Sequence, residues 1–211
     1  MWSNDSYRHC NKHHDKKEKD KNGLLTEFDF DEFNQNQNPF PGPGLIPLAN
    51  TDLCINDKCD RVLLNAAINW APAGTATATL NLSGAISSGL FLEPFQTRFT
   101  IWRGNPFNPN GQAVPICSFV DSSPFNTTIM TVDVDPTTPG FQLGLSFTIG
   151  FSPVTTDFKC VDENPECGKV EYFLTMVPLD FIDGVSLTGA TAVTFTAMEI
   201  EKHDDDCCDC C

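Results

Sequence analysis

A period-two pattern runs through Val193-Thr194-Phe195-Thr196-Ala197-Met198-Glu199-Ile200. The same interleaving of polar with small or apolar residues recurs in Thr75-Ala76-Thr77-Ala78-Thr79-Leu80-Asn81-Leu82. Successive side chains of a strand point to opposite faces, so each segment is typical of a strand that packs one face and turns the other toward water or a neighbour. These two stretches favour an all-β fold.

Between Leu53 and Glu201 the remaining sequence has the same character, with short apolar or alternating runs separated by turns rich in Pro, Gly, Asn and Asp. The 17 Phe residues and the many Thr and Val suit pleated, half-buried surfaces. Eight antiparallel strands without crossover helices predict a jelly-roll-like β-sandwich. The eight are Val62–Trp70, Thr75–Ser83, Phe95–Arg103, Val114–Val120, Thr128–Val134, Phe141–Phe151, Val170–Val177 and Ala190–Ile200.

The rest of the chain divides into flanking segments. A length of 211 residues with 40% hydrophobic residues suits one core. Mixed charge without periodicity predicts disorder at the N-terminus, and Pro and Gly residues mark a linker. We predict a disordered arm at 1–22, an acidic, Phe-containing segment and linker at 23–50, the sandwich at 51–202, and a flexible Cys-rich tail at 203–211.

The charge and hydropathy patterns exclude several classes of protein. The formal net charge is −15, whereas nucleic-acid binding needs clustered Lys and Arg. The N-terminal residues contain no apolar segment of a signal peptide, and no stretch approaches the roughly 18 apolar residues of a membrane span. We therefore expect synthesis without a signal peptide and no membrane span.

Ten cysteines are many for a reducing compartment, and five of them fall within the predicted sandwich. Cys54 and Cys59 flank one loop, and Cys160 and Cys167 flank another, so each pair is a candidate for a local disulfide. Cys117 lies among apolar neighbours, and we interpret it as a small buried hydrophobic residue.

The other five cysteines lie on the tails, where the fold has nothing to pack against them. Adjacent cysteines rarely satisfy disulfide geometry with each other, so their expected partners lie elsewhere, including other subunits. The alternative is that the tail thiols are idle. The candidates for intermolecular disulfides are Cys10, Cys207, Cys208, Cys210 and Cys211.

Metal binding is an alternative use of the tails. His9, Cys10, His13 and His14, with His203 and the terminal cysteines, are ligand types that suit zinc or copper. Their spacing lacks the paired short Cys knuckles of a structural zinc site. We therefore predict no dedicated metal site and no cofactor.

Catalytic motifs are missing from the sequence. It contains no Gly-x-Ser-x-Gly, no phosphate-binding glycine loop and no His-Glu-x-x-His, and all four histidines lie in the tails. The sandwich thus lacks the commonest general base. We predict that the protein is not an enzyme.

The segment Phe28-Asp29-Phe30-Asp31-Glu32-Phe33 alternates aromatic and acidic residues until Phe33 breaks the phase. An exposed sheet edge offers unpaired backbone groups to any extended peptide. Phe28, Phe30 and Phe33 are therefore candidates for strand addition to another copy, and docking onto their own domain is the alternative. A head-to-tail contact of this kind does not close and gives a fibre or sheet.

This layout resembles that of cysteine-rich surface proteins of Gram-positive endospores, namely exosporium lattice proteins and endospore-appendage subunits. The resemblance rests on the arm with Cys10, the Pro/Gly linker, the Thr/Val/Phe-rich strands and the cluster Cys207–Cys211. It implies self-assembly with copies of the chain or related subunits into a disulfide-linked filament or lattice on the spore surface. In the appendage family, connector cysteines bond to neighbouring subunits. Here only Cys10 occupies a comparable place, and its arm is longer.

A second hypothesis is a jelly-roll module that binds carbohydrate or another ligand. Its candidate contacts are Trp70, Trp102 and the loop Asn105–Gly111, because sugar platforms use exposed aromatic side chains.

Overall fold

The structure is a computed structural model that describes residues 25–33, 44–55, 59–74, 76–81, 94–135, 142–179 and 185–200. These residues form eleven strands and no helix. The strands are β1 (Leu25–Phe33), β2 (Ile46–Ile55), β3 (Arg61–Gly74), β4 (Ala76–Asn81), β5 (Phe95–Arg103), β6 (Val114–Ser123), β7 (Phe125–Asp135), β8 (Gln142–Phe151), β9 (Val154–Asp162), β10 (Gly168–Pro178) and β11 (Val185–Ile200).

Eight of these strands make two four-stranded antiparallel sheets. Sheet A has the order β1-β11-β3-β9, and sheet B has the order β2-β10-β5-β6. Counted along the chain, the first of the eight pairs with the last, the second with the seventh, the third with the sixth and the fourth with the fifth. This nested pairing is that of a jelly roll, and it confirms the predicted all-β sandwich.

The other three strands form a separate antiparallel sheet with the order β4-β8-β7. The eight strands predicted for the sandwich include these three and leave out β2, β9 and β1, of which β1 is predicted only as a strand-like segment outside the domain. All three omitted strands lie at sheet edges, where Pro and charged residues are tolerated because one side of the backbone is not paired in the ladder. Pro47, Asp52 and Asp157 on these strands resemble loop residues for this reason.

The sandwich begins earlier than the predicted boundary at residue 51. Leu25–Phe33, expected outside the domain, pairs along β11 from Leu25↔Ile200 to Phe33↔Val193. Residues 46–50, expected in the linker, belong to β2 and pair with β10. The predicted tails, at 1–22 and 203–211, lie outside the described residues.

The core lies between the two sheets and follows the strand period. On β3, the inward side chains of Val62, Leu64, Ala66, Ile68 and Trp70 are completely buried. From sheet B the Phe99 ring meets the Trp70 ring edge-on, with centroids 5.6 Å apart. The Trp70 indole N–H donates to Thr156 Oγ1 at 2.8 Å, so this buried donor is satisfied.

One long side of the sandwich is closed where β6 of sheet B meets β9 of sheet A, and we call this side the β6–β9 seam. A disulfide joins Cys117 to Cys160, and their Cα atoms are 6.4 Å apart. The Thr156 hydroxyl donates to Asp121 Oδ2 at 2.6 Å. The rings of Phe119 and Phe158 stack with centroids 5.8 Å apart.

The Cys117–Cys160 bond corrects two predictions. Cys160 is not bonded to Cys167, and Cys117 is not an unpaired hydrophobic residue, because sheet packing brings together two edge strands that are distant in sequence. Cys54, Cys59 and Cys167 are also disulfide-bonded. The pairing of Cys54 with Cys59 stays a prediction.

The double substitution Cys117→Ala, Cys160→Ala should lower the free energy of unfolding. The disulfide spans a sequence separation of 43 residues, and the loss of this cross-link from the unfolded chain amounts to about 4 kcal/mol in the chain-entropy model. Urea unfolding of the oxidised proteins measures the difference, and full reduction of both proteins should abolish it. Equal stability of the two oxidised proteins would contradict the structural role of the bond.

Candidate functional site

The opposite long side of the sandwich is covered by acidic side chains of β1 that contact β2, and we call it the β1–β2 seam. It consists of Glu27, Asp29 and Asp31 on β1 and the outer edge of β2 from Asn50 to Cys54. The inward positions of β1 are carboxylates, although the same positions on β3 are apolar. These carboxylates accept hydrogen bonds from the β2 backbone.

The hydrogen bonds of the seam repeat at every second residue. Glu27 Oε2 accepts from the Cys54 N–H at 2.8 Å. Asp29 Oδ2 accepts from the Asp52 N–H at 3.1 Å and from the Thr51 hydroxyl at 2.8 Å. Asp31 Oδ2 accepts from the Asn50 N–H at 3.1 Å. Three donors that would otherwise lie open on an edge strand are therefore satisfied by side chains.

The alternation of the β1 sequence produces this arrangement. Because the acids occupy the inward positions, Phe28 and Phe30 must face outward, and their side chains are 47% and 55% exposed. Their rings stack with centroids 5.8 Å apart. The sequence predicts the strand and singles out the Phe residues, but the structure shows that the acids make the contacts with β2.

Like charges oppose each other at one end of the seam. Glu27 lies directly across the β1–β11 ladder from Glu199, which is buried. Burial raises the pKa of Glu27, and the nearby carboxylates of Glu199, Asp52 and Asp29 raise it further, while the Cys54 N–H opposes the shift. The charged form of Glu27 is thus disfavoured when β1 is docked.

The outward face of sheet A carries an apolar row that begins at β1. Phe28 lies opposite Met198, Met198 opposite Leu63, and Leu63 opposite Val161. Met198 and Leu63 are half-buried, whereas Val161 is 41% exposed. The row therefore crosses all four strands of the sheet and faces solvent.

Most of the cysteine and histidine candidates lie outside the described residues. These are His9, Cys10, His13, His14, His203, Cys207, Cys208, Cys210 and Cys211. Phe33 belongs to β1 and pairs with Val193. Across the described residues, no group of three His, Cys, Asp or Glu side chains is placed to hold a metal ion.

Neither of the two Trp residues proposed for sugar binding is presented as an exposed platform. Trp70 is completely buried. Trp102 is half-buried, and its indole N–H donates to Thr175 Oγ1 at 2.9 Å. The loop Asn105–Gly111 forms local turns in which Asn105 Oδ1 accepts from the Phe107 N–H at 2.8 Å. The Trp70 prediction is wrong, because its ring fills the core.

A polar cavity of about 240 Å³ lies near the start of β10. Its lining includes the charged residues Arg103, Glu166, Lys169 and Glu171. This volume is below the 300–1,000 Å³ of typical small-molecule sites. The cavity does not favour a ligand-binding role over assembly.

The chain matches no protein-family model, no curated protein and no solved structure. Within the described residues, no helix has the length and apolar character needed to cross a membrane. The edges and faces of the sandwich are therefore the features from which a function can be inferred.

Asp29→Ala should lower the free energy of unfolding by about 1–2 kcal/mol, because the Thr51 hydroxyl and the Asp52 N–H both lose their acceptor. Urea unfolding measures this change. Glu32→Ala is the matched control, since Glu32 is an exposed acid on the same strand and should change stability by less than about 0.5 kcal/mol. Equal effects of the two substitutions would show that the seam contributes nothing specific.

Glu27→Gln should be more stable than the wild type at pH 7, because it removes the disfavoured charge and keeps an oxygen acceptor for the Cys54 N–H. The pKa of Glu27 is raised when β1 is docked, so the penalty is present above that pKa and disappears as the pH falls toward the ordinary value of 4.5. Urea unfolding at several pH values should show that the stability difference between Glu27→Gln and the wild type narrows as the pH falls from the raised pKa toward 4.5. A difference independent of pH would contradict this assignment.

Proposed function

We propose that this protein is a structural subunit that assembles with copies of itself, or with related subunits, into a filament or lattice on the spore surface. Intermolecular disulfides through Cys10, Cys207, Cys208, Cys210 and Cys211 cross-link the assembly. The role is structural and not catalytic. The spore-surface location follows the resemblance in layout to exosporium and endospore-appendage proteins.

The apolar row on sheet A is the observation that supports assembly most directly. Phe28, Phe30 and Val161 are all more than 40% exposed, and the row continues between them through Met198 and Leu63. A contiguous apolar strip on a strongly acidic protein marks a surface that binds another protein. With a formal net charge of −15, unpaired copies repel each other, so an apolar contact is suited to overcome that repulsion.

The exposed edge of sheet B supports the same role. β6 is an edge strand, and Val114 and Val120 on it are each more than 40% exposed. Edge strands with apolar side chains are templates for pairing with another chain. The sandwich therefore has an apolar strip on one sheet and an apolar edge on the other.

The cysteine chemistry fits a protein that works under oxidising conditions. The Cys117–Cys160 disulfide shows that the fold accommodates disulfide bonding between its two sheets. The tail cysteines lie outside the predicted sandwich, which makes them candidates for joining one copy to another. A non-covalent contact formed first would raise their effective concentration and favour such bonds.

Gel electrophoresis of oxidised full-length protein, combined with electron microscopy, tests this proposal. We expect a ladder of multimers that collapses to monomer on reduction, and filaments or sheets in the oxidised sample. Replacing all five tail cysteines by Ser should abolish the ladder. The variant Cys117→Ala, Cys160→Ala should retain it, because it changes the sandwich and leaves the tails intact. A monomer under both conditions, without particles larger than a monomer, would contradict the proposal.

A further inference from the structure

The slot between the edge of β11 and the outer edge of β2 is occupied by β1, and each side of the slot recognises a different property of the strand. β11 supplies a backbone ladder that any extended chain can use. β2 supplies three N–H donors at alternate residues, Asn50, Asp52 and Cys54, and the Thr51 hydroxyl. The slot thus selects an extended peptide that carries acceptors at alternate positions.

We propose that this slot is a binding site for an acidic strand, and that in assembled material it takes the Glu27–Asp31 segment of a second copy. This inference rests on the proposed assembly function. It assigns the contact between copies to strand exchange and its specificity to the three carboxylates. Phe28 and Phe30 remain on the outward face of the exchanged strand, where they continue the apolar row.

The chain between β1 and β2 is long enough for exchange. Residues 34–45 separate the two strands, and at 3.3–3.6 Å per residue this stretch reaches up to about 40 Å when extended. The two sheets of a sandwich lie only about 10 Å apart. Across the described residues, the hydrogen bonds of β1 to other strands go to β2 and β11, so a strand arriving from a neighbour can make the same hydrogen bonds.

The contacts of β1 also favour exchange over permanent docking in its own chain. Its two Phe side chains stay about half exposed, and its inward side chains are charged. Glu27 faces Glu199 across the ladder, and like charges directly opposite each other oppose pairing. A segment held mainly by hydrogen bonds opens more readily than core strands. When each copy passes its strand to the next, the contact does not close, and the result is a fibre.

Mixed-isotope photocross-linking of the full-length protein tests the inference. Equal pools of unlabelled and heavy-nitrogen protein, each with photoreactive benzoylphenylalanine in place of Phe30, are mixed as reduced monomers and then oxidised to assemble. After irradiation and reduction, mass spectrometry measures which β1–β11 cross-links join the two isotopes. Phe30 lies opposite Thr196, so β11 is the expected target.

We expect the mixed-isotope fraction to approach the half that random pairing between equal pools gives. Asp29→Leu should lower the total yield of β1–β11 cross-links several-fold, because the β2 donors lose an acceptor whichever copy supplies the strand, whereas Glu32→Leu on the exposed face should leave that yield unchanged. An assembly that contains only same-isotope cross-links would overturn strand exchange and leave the proposed function standing. Equal cross-link yields in the two variants would overturn the role of the carboxylates. Absence of any assembly would overturn the proposed function itself.

Discussion

Two stacked sheets leave two long sides where edge-strand backbones and the margin of the core meet water, and a sandwich depends on closing both. This protein closes the two sides by different chemistry. At the β6–β9 seam a disulfide, a stacked Phe pair and the Thr156–Asp121 hydrogen bond tie the sheets together. At the β1–β2 seam, carboxylates of sheet A accept hydrogen bonds from backbone amides of sheet B.

The two seams differ in the ease with which they open. A disulfide between sheets stays closed until it is reduced, so β6 and β9 remain neighbours. The carboxylate contacts compete with water, and Glu27 adds like-charge repulsion against Glu199 and Asp52. One side of the sandwich is therefore fixed by a disulfide between the sheets, while at the other side β1 contacts β2 through carboxylate hydrogen bonds. This asymmetry gives the fold a stable body and one strand that is suited to exchange.

The choice of carboxylates for the inward positions of β1 determines what the outer surface presents. In an ordinary edge strand, Phe28 and Phe30 would point into the core. Here they lie outside, where they begin the apolar row that ends at Val161. The recognition of β2 and the exposure of the apolar row are thus two consequences of one alternating sequence.

The sequence predicts the parts of the fold in which side chains alternate without interruption. Strand β5 is predicted with its observed bounds, Phe95–Arg103, because its turns and alternation agree. The edge strands β2 and β9 escape prediction because Pro47, Asp52 and Asp157 are tolerated only where one backbone edge is outside the ladder. The Cys117–Cys160 bond follows from the packing of two edge strands, and no local spacing indicates it. The sequence also does not predict the carboxylate contacts, because the acidic side of an alternating strand usually faces solvent.

The central claim is that the β1 carboxylates cover the outer amides of β2. Native-state hydrogen exchange of the individual amides tests it most directly, because successive residues of an edge strand point their N–H groups to opposite sides. The account predicts protection of the Asn50, Asp52 and Cys54 amides, as well as of Thr51 and Leu53 in the ladder with β10. If the Asn50, Asp52 and Cys54 amide hydrogens exchange at the rate of an unprotected chain while those of Thr51 and Leu53 stay protected, the claim is contradicted.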